Sequence, residues 1–152
     1  MTRVYVASSW RNPRYEGVIE RLRAEDIPHY DFKQPRPGIG GFAWTDVWKD
    51  IAADGQGAND WQKAKGEQVV EMLKHPIAVY GFHHEYSALL DSWACLLVMP
   101  CGRSAHLEMG YAIGSRKPSV VLLDTESEAE LMWKMADLVT VSLDEAVEFL
   151  KR

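Results

Sequence analysis

Five strand-length apolar runs, separated by segments with helical spacing, predict an α/β protein built on a five-stranded, mostly parallel sheet. The runs are Val4–Ala7, Ile27–Phe32, Ala94–Met99, Ser119–Leu123 and Leu138–Val141. Between them, apolar residues recur three and four positions apart, the mark of amphipathic helices. The length, 152 residues, suits a single domain (1–152) with a core of its own. Strands that alternate with helices form right-handed βαβ crossovers, which lay neighbouring strands parallel.

The elements follow in order. Val4–Ala7 is a buried strand ending at Ser8, Ser9 and Trp10. Pro13 suits the first turn of a helix, and Val18, Ile19 and Leu22 carry that helix to about Glu25. After the strand Ile27–Phe32, the stretch Pro35 to Trp44 holds two prolines and three glycines and reads as a loop. Asp60–Lys74 is a polar helix with Val69, Val70, Met72 and Leu73, stopped at His75–Pro76. Ile77–Trp93 is a further helix despite Gly81, and Ala94–Met99 the third strand. Ser104–Gly114, Glu126–Ala136 and Leu143–Leu150 read as helices around the last two strands.

Composition excludes some functions. The balance of 17 basic against 22 acidic residues gives a net charge of −5. With no basic block, a nucleic-acid polymer is not an expected partner. A small nucleotide stays possible, since one or two local cations suffice for it. No run approaches the roughly 18 apolar residues of a membrane span, and MTRVYVASSW reads as an immediate strand rather than a signal peptide. Cys95 and Cys101 bracket one predicted strand. Six extended residues span about 20 Å, too far for a disulfide, so reduced thiols and a cytoplasmic location are expected. Neither cysteine belongs to a C-x-x-C pattern, and no metal or cofactor is implied.

Ligands of parallel sheets bind outside the carboxyl ends of the strands. Those ends are Ser8–Trp10, Asp31–Lys33, Pro100–Arg103, Asp124 and Ser142. One turn into the helix after the third strand stands Glu108, on a face otherwise made of Ala105, Met109 and Ala112. A carboxylate turned toward a core costs several kcal/mol, roughly, unless it is paired or neutralised. Two readings remain open: a group held by the helix dipole and an interior arginine, or a nucleophile or acid–base group in the crevice.

Gly102-Arg103-Ser104 turns into a helix N-terminus, with Ser104 as the expected N-cap. Free N–H groups there favour an anion, and Arg103 can fork onto a phosphate or carboxylate; a plain cap with a solvated arginine is the alternative. Neither a Walker loop nor a G-x-G-x-x-G fingerprint is present, since RPGIGGFAW has Ala43 at the third glycine position. Phe42, Trp44 and Trp48 lie in a glycine-rich segment. They suit a lid stacking on a planar base, and equally a core or a subunit interface. His83 and His84 are adjacent, so their side chains diverge by about 100° on a helix and do not converge on a metal. His106 stands on a different face from Glu108 and reads as a structural or rim residue.

VYVASSW near the N-terminus, and PCGRSAHLEMGYAIG leading into KPSVVLL, resemble the nucleoside 2-deoxyribosyltransferase family and its nucleotide N-glycosidase relatives. The resemblance covers the first strand and about thirty residues around Glu108, and leaves the middle third of the chain unmatched. It implies a flavodoxin-like, Rossmann-like three-layer sandwich. It also implies that Glu108, in Leu107-Glu108-Met109-Gly110-Tyr111-Ala112, is the nucleophile. Tyr5 would border the pocket, and Ser8, Ser9 and Arg11 would occupy the turn that touches sugar or phosphate; the lid and helix N-terminus readings add Trp44, Gly102, Arg103 and Ser104 as candidate substrate contacts. Two departures stand out. Gly102 sits where many relatives carry an aspartate, and Trp93 or Ala94, with Asp91 nearby, where many carry a sugar-binding one.

The expected activity is cleavage or exchange of the N-glycosidic bond of a (deoxy)nucleoside or its 5′-monophosphate. It would proceed through a glycosyl-enzyme on Glu108, without a cofactor, in a homo-oligomer of two or more copies. The alternatives are a TIR-like NAD glycohydrolase and a nucleotide-binding module without turnover.

Overall fold

Strand β1 (Arg3–Ala7) is buried from Val4 onward, β3 (Ser92–Val98) is buried except at Trp93, and β4 (Ser119–Leu122) is buried throughout. Strands hidden on both faces require cover on both sides, which is how parallel sheets are built. In the computed structural model, which describes residues 3–151, β2 (His29–Tyr30) and β5 (Leu138–Thr140) form the two edges. All neighbours pair in parallel, in the order β2-β1-β3-β4-β5. That is the flavodoxin-like order.

The helices are α1 (Tyr15–Ala24), α2 (Trp44–Ile51), α3 (Gly66–Lys74), α4 (Pro76–Asp91), α5 (Arg103–Gly114) and α6 (Leu143–Leu150). Helices α1 and α6 share one side of the sheet, linked by Arg21–Asp144 at 2.7 Å and Lys151–Glu25 at 2.8 Å. Helix α5 packs on β1, β3 and β4. A right-handed crossover places it on the other side, because β3 to β4 advances across the sheet opposite to the β1-to-β2 step that carries α1. Three layers result. Among the described residues no helix is long and apolar enough to cross a membrane.

The chain divides into two compact units. One comprises β1 through Phe32 together with Ala88 through α6; the other is Lys33–Ser87. The second unit has its own core of Val47, Trp48, Met72 and Ala78, with Phe42, Trp44 and Trp61 packed against it. Within it, a Cβ on Gly81 would meet the Phe42 ring at 2.7 Å, so a side-chain-free position lets the α4 backbone lie against that ring. This accounts for a glycine inside a helix, where it is otherwise unfavourable by about 1 kcal/mol.

Several element boundaries differ from the sequence-based expectation. The first helix begins at Tyr15 rather than Pro13, because the Asn12 side chain and carbonyl accept from the Arg14 and Tyr15 amides and form a turn there. The second strand keeps only His29–Tyr30 of the expected Ile27–Phe32. Trp44–Ile51 is a helix rather than part of a loop, driven by burial of Val47 and Trp48. The expected helix Asp60–Lys74 splits into a 3-10 turn (Asp60–Lys63) and α3, with Lys65 extended between them and its amide donating to Gln68 Oε1 at 3.0 Å. Helix α4 stops at Asp91, and Ser92 and Trp93 join β3. Of Glu126–Ala136 only a 3-10 turn, Leu131–Met135, forms, capped by the Glu130 carboxylate on Met132 N at 3.0 Å.

Candidate active site

The sheet order reverses between β1 and β3, and ligands of such sheets bind outside the strand ends at that switch point. There the Ser8 hydroxyl donates to the Val98 carbonyl at 2.9 Å, tying the end of β1 to the end of β3. Asn12, 2% exposed, donates from Nδ2 to Ser8 Oγ at 2.9 Å and to the same carbonyl at 3.2 Å. Arg14 Nη1 then bridges the ends of β3 and β4, donating to Met99 O at 3.2 Å and Leu123 O at 3.0 Å, with Asp124 at 3.6 Å. The carboxyl edge is thus braced by one amide and one guanidinium. Sequence reasoning missed both. The signal was the Asn-Pro pair at 12–13, a turn-forming dipeptide.

Beyond that edge α5 begins at Arg103, with Gly102 as its N-cap and no side-chain cap. This corrects the expectation of Ser104 as the cap: Ser104 is the second helical residue and exposed. Ala105, Met109 and Ala112 form the buried face of α5, as their spacing predicts. Glu108, half-buried, flanks that face. Its charge reaches the sheet. Burial first, and the Glu108 carboxylate second, push the Cys101 thiol up to about 12. The same two causes, in the same order, raise the buried Cys95 thiol, against a smaller pull from Lys117. Both cysteines are free thiols.

Tyr5 belongs to the same neighbourhood by register. It pairs with Cys95 across β1 and β3 and with Tyr30 across β1 and β2. Paired residues of parallel strands share a face, so Tyr5 lies on the side where Glu108 acts on Cys95. Its ring is 1% exposed and stacks on Tyr30 at 5.3 Å and 18°.

The remaining predicted contacts fall in different places. Ser9 accepts from Arg11 N at 3.3 Å, and Arg11 is exposed on the turn after β1. Gly102 and Arg103 border a cavity on the flank of α5 facing the 3-10 turn Leu131–Met135, and Glu108 is not part of that cavity's wall. Arg103 and Glu108 are five positions apart, about 140° around a helix. Trp44 opens α2, edge-on to Phe42 at 4.8 Å. Trp48, grouped with them as a lid, is instead 1% exposed and anchored by its indole N–H on Gly57 O at 3.0 Å. It is a core residue of the second unit.

His106, read from the sequence as a structural or rim residue, has partners on both ring nitrogens within the protein. Trp133 Nε1–H donates to its Nε2 at 3.2 Å, and its Nδ1 lies 2.8 Å from Gly102 O. His84 Nε2 sits 3.1 Å from the Tyr80 hydroxyl. Among the described residues no three His, Cys, Asp or Glu side chains gather as a metal-holding set.

No family model and no curated protein matches the chain. Its fold is similar to that of a conserved protein from Enterococcus faecalis V583, known from a crystal structure. The likeness has a TM-score of 0.56 at 14% identity, over 99% of this chain and 98% of that one. At that identity it bears on the fold alone.

Proposed function

We propose that the chain cleaves or exchanges the N-glycosidic bond of a (deoxy)nucleoside or nucleoside 5′-monophosphate, with Glu108 as nucleophile. The observation that carries this reading is the position of Glu108. It is a half-buried carboxylate, the sixth residue of the helix that follows β3, on the flank of the Ala105, Met109 and Ala112 face, in a helix that packs on β1, β3 and β4. A carboxylate in a partly desolvated site is a stronger nucleophile than one in water. A Glu108 oxygen attacks C1′ as the C1′–N bond breaks, and the bonding pair leaves with the base, which takes up a proton. Water or a second base then attacks C1′, the ester C–O bond breaks, and the carboxylate is restored. Two displacements retain the anomeric configuration.

In this reading Tyr5, 1% exposed, lies beneath the crevice rather than against the sugar, and the Ser8 hydroxyl serves mainly to tie the two strand ends together at Val98. The 5′-phosphate falls to Ser9 and Arg11 on the turn after β1, since Arg103 borders the cavity on the far flank of α5. Base release from nucleosides, 5′-monophosphates and NAD, followed by chromatography, tests the proposal. Glu108→Gln keeps the volume and removes the charge, and should lower turnover by at least about two orders of magnitude with the fold intact. Near-normal turnover in a folded Glu108→Gln variant refutes the proposal. Nicotinamide release from NAD alone would favour the TIR-like reading. Ligand-induced thermal stabilisation without base release would favour a binding module.

A further inference from the structure

We propose that the cleft between α5 and the 3-10 turn Leu131–Met135 is a second ligand site, for a flat apolar ring carrying a carboxylate or similar anionic group. The cavity measures about 520 Å³ and is walled chiefly by Met109, Ile113, Met132, Trp133 and Met135, with buried Val121 of β4 among the lining residues. That volume falls within the roughly 300–1,000 Å³ of small-molecule sites, which are mostly apolar with a few placed polar groups. Three methionines give the wall a polarizable, adaptable surface suited to aromatic rings. The Trp133 and His106 rings lie nearly parallel, 20° apart with centroids at 6.2 Å, and their mutual hydrogen bond holds the indole plane in place.

The polar groups favour an anion. Arg103 stands on the wall, and among the described residues no ion pair or side-chain hydrogen bond engages its guanidinium. Glu130 also lines the cavity, but its carboxylate is committed to capping the 3-10 turn at Met132 N, 3.0 Å. His106 has both ring nitrogens engaged, by Trp133 and by Gly102 O. Glu130 keeps its charge but is paired with a backbone amide, so among the described residues Arg103 is the charged side chain on the wall without a partner of its own, next to apolar surface that a carboxylate alone would leave unfilled. Gly110 leaves the room: it lines the cavity, and a Cβ there would meet nothing within 4 Å. Glu108 is not among the lining residues, and the site does not depend on the activity proposed above.

The test uses 2-naphthoate and its neutral analogue 2-naphthylmethanol as probes. The readout is the Trp133 indole N–H resonance of the full chain, assigned with Trp133→Phe. The expected result is a saturable shift of that resonance with 2-naphthoate, and binding about tenfold weaker for the alcohol, as one partly exposed charge-assisted contact provides. Arg103→Gln should remove the difference between the two probes. Gly110→Leu puts a side chain into the open space and should abolish binding of both, with Gly110→Ala as a milder filler should the leucine disturb the helix. Absence of a saturable Trp133 shift at millimolar probe overturns the proposal. So does binding that survives Gly110→Leu in a folded protein. Equal affinity for both probes in the wild type overturns the anionic assignment.

Discussion

Alkylation of Cys101 reports whether Glu108 carries its charge where the proposed chemistry needs it. Burial, and then the Glu108 carboxylate, move the thiol from an ordinary 9.0 up to about 12. At pH 8 such a rise cuts the thiolate from about one molecule in ten to about one in ten thousand. The thiolate that remains is intrinsically more nucleophilic. A Brønsted slope near 0.45 returns about 20-fold of the loss. The folded protein should therefore react with iodoacetamide at Cys101 about 40-fold more slowly than the urea-unfolded chain, and more slowly still where access is limited.

Access and ionisation separate by pH. A thiol held back by its pKa keeps gaining rate through pH 10 and 11, whereas one held back only by cover levels off near the ordinary thiol range. Glu108→Gln preserves shape and removes the second cause while leaving burial in place, so Cys101 should speed up without reaching the unfolded rate. Peptide-level mass spectrometry resolves Cys101 from Cys95 in one digest. If Cys101 in the folded wild type reacts at the unfolded rate, or if Glu108→Gln changes nothing, no ionised carboxylate stands beside the end of β3. The nucleophile reading then fails with it. The sign for stability follows. A thiol whose folded pKa is raised contributes fully below its unfolded value, and the contribution is lost as pH climbs toward about 12.

Asn12→Ala should destabilise the protein by about 1–3 kcal/mol in urea titrations, because it removes the donors that Ser8 Oγ and the Val98 carbonyl rely on in a buried setting; a loss below about 0.5 kcal/mol would mean that the β1–β3 brace is redundant. Glu85, half-buried on α4, has its carboxyl raised above the usual range by burial, so its contribution to stability is greatest in acid and declines as pH rises past its ordinary value of 4.5. Glu85→Gln should raise Tm at pH 7 and match the wild type below pH 4.5; an unchanged Tm at pH 7, or a pH-independent difference, would contradict that.

The sheet was legible because its central strands are continuous apolar runs, and such runs survive any choice of boundary. Edges were less so. Strand β2 shrinks to His29–Tyr30, where Pro28 lacks an N–H and its carbonyl is used instead by Val4 N at 2.8 Å. Helix α2 was hidden because the glycines and prolines of 35–41 dominate the local pattern, while the burial of Val47 and Trp48 that stabilises it depends on tertiary partners. In the candidate site the same division holds. The inward flank of α5 could be read from the spacing of Ala105, Met109 and Ala112. The Trp133 bond to His106, the capping role of Glu130 and the brace from Arg14 depend on partners 27, 2 and 109 positions away, or on exact orientation, and no local pattern encodes them.

The small residues of α5 explain how one helix serves two flanks. Ala105 and Ala112, both buried, let its axis lie close on β1, β3 and β4. Glu108 is thereby held near enough for its charge to act on Cys95 and Cys101; larger side chains on that face would lift the helix and return the carboxylate to water. On the opposite flank Gly110 contributes no side chain, and the room it leaves becomes part of the cavity under Trp133. Helix propensity does not select this composition, since glycine is unfavourable there by about 1 kcal/mol relative to alanine. What it supplies is proximity on one side and volume on the other. A 5′-phosphate bound to Arg103 and a sugar carbon at Glu108 would have to reach around the helix between these two flanks, which is why the proposed function gives the phosphate to the turn after β1 instead.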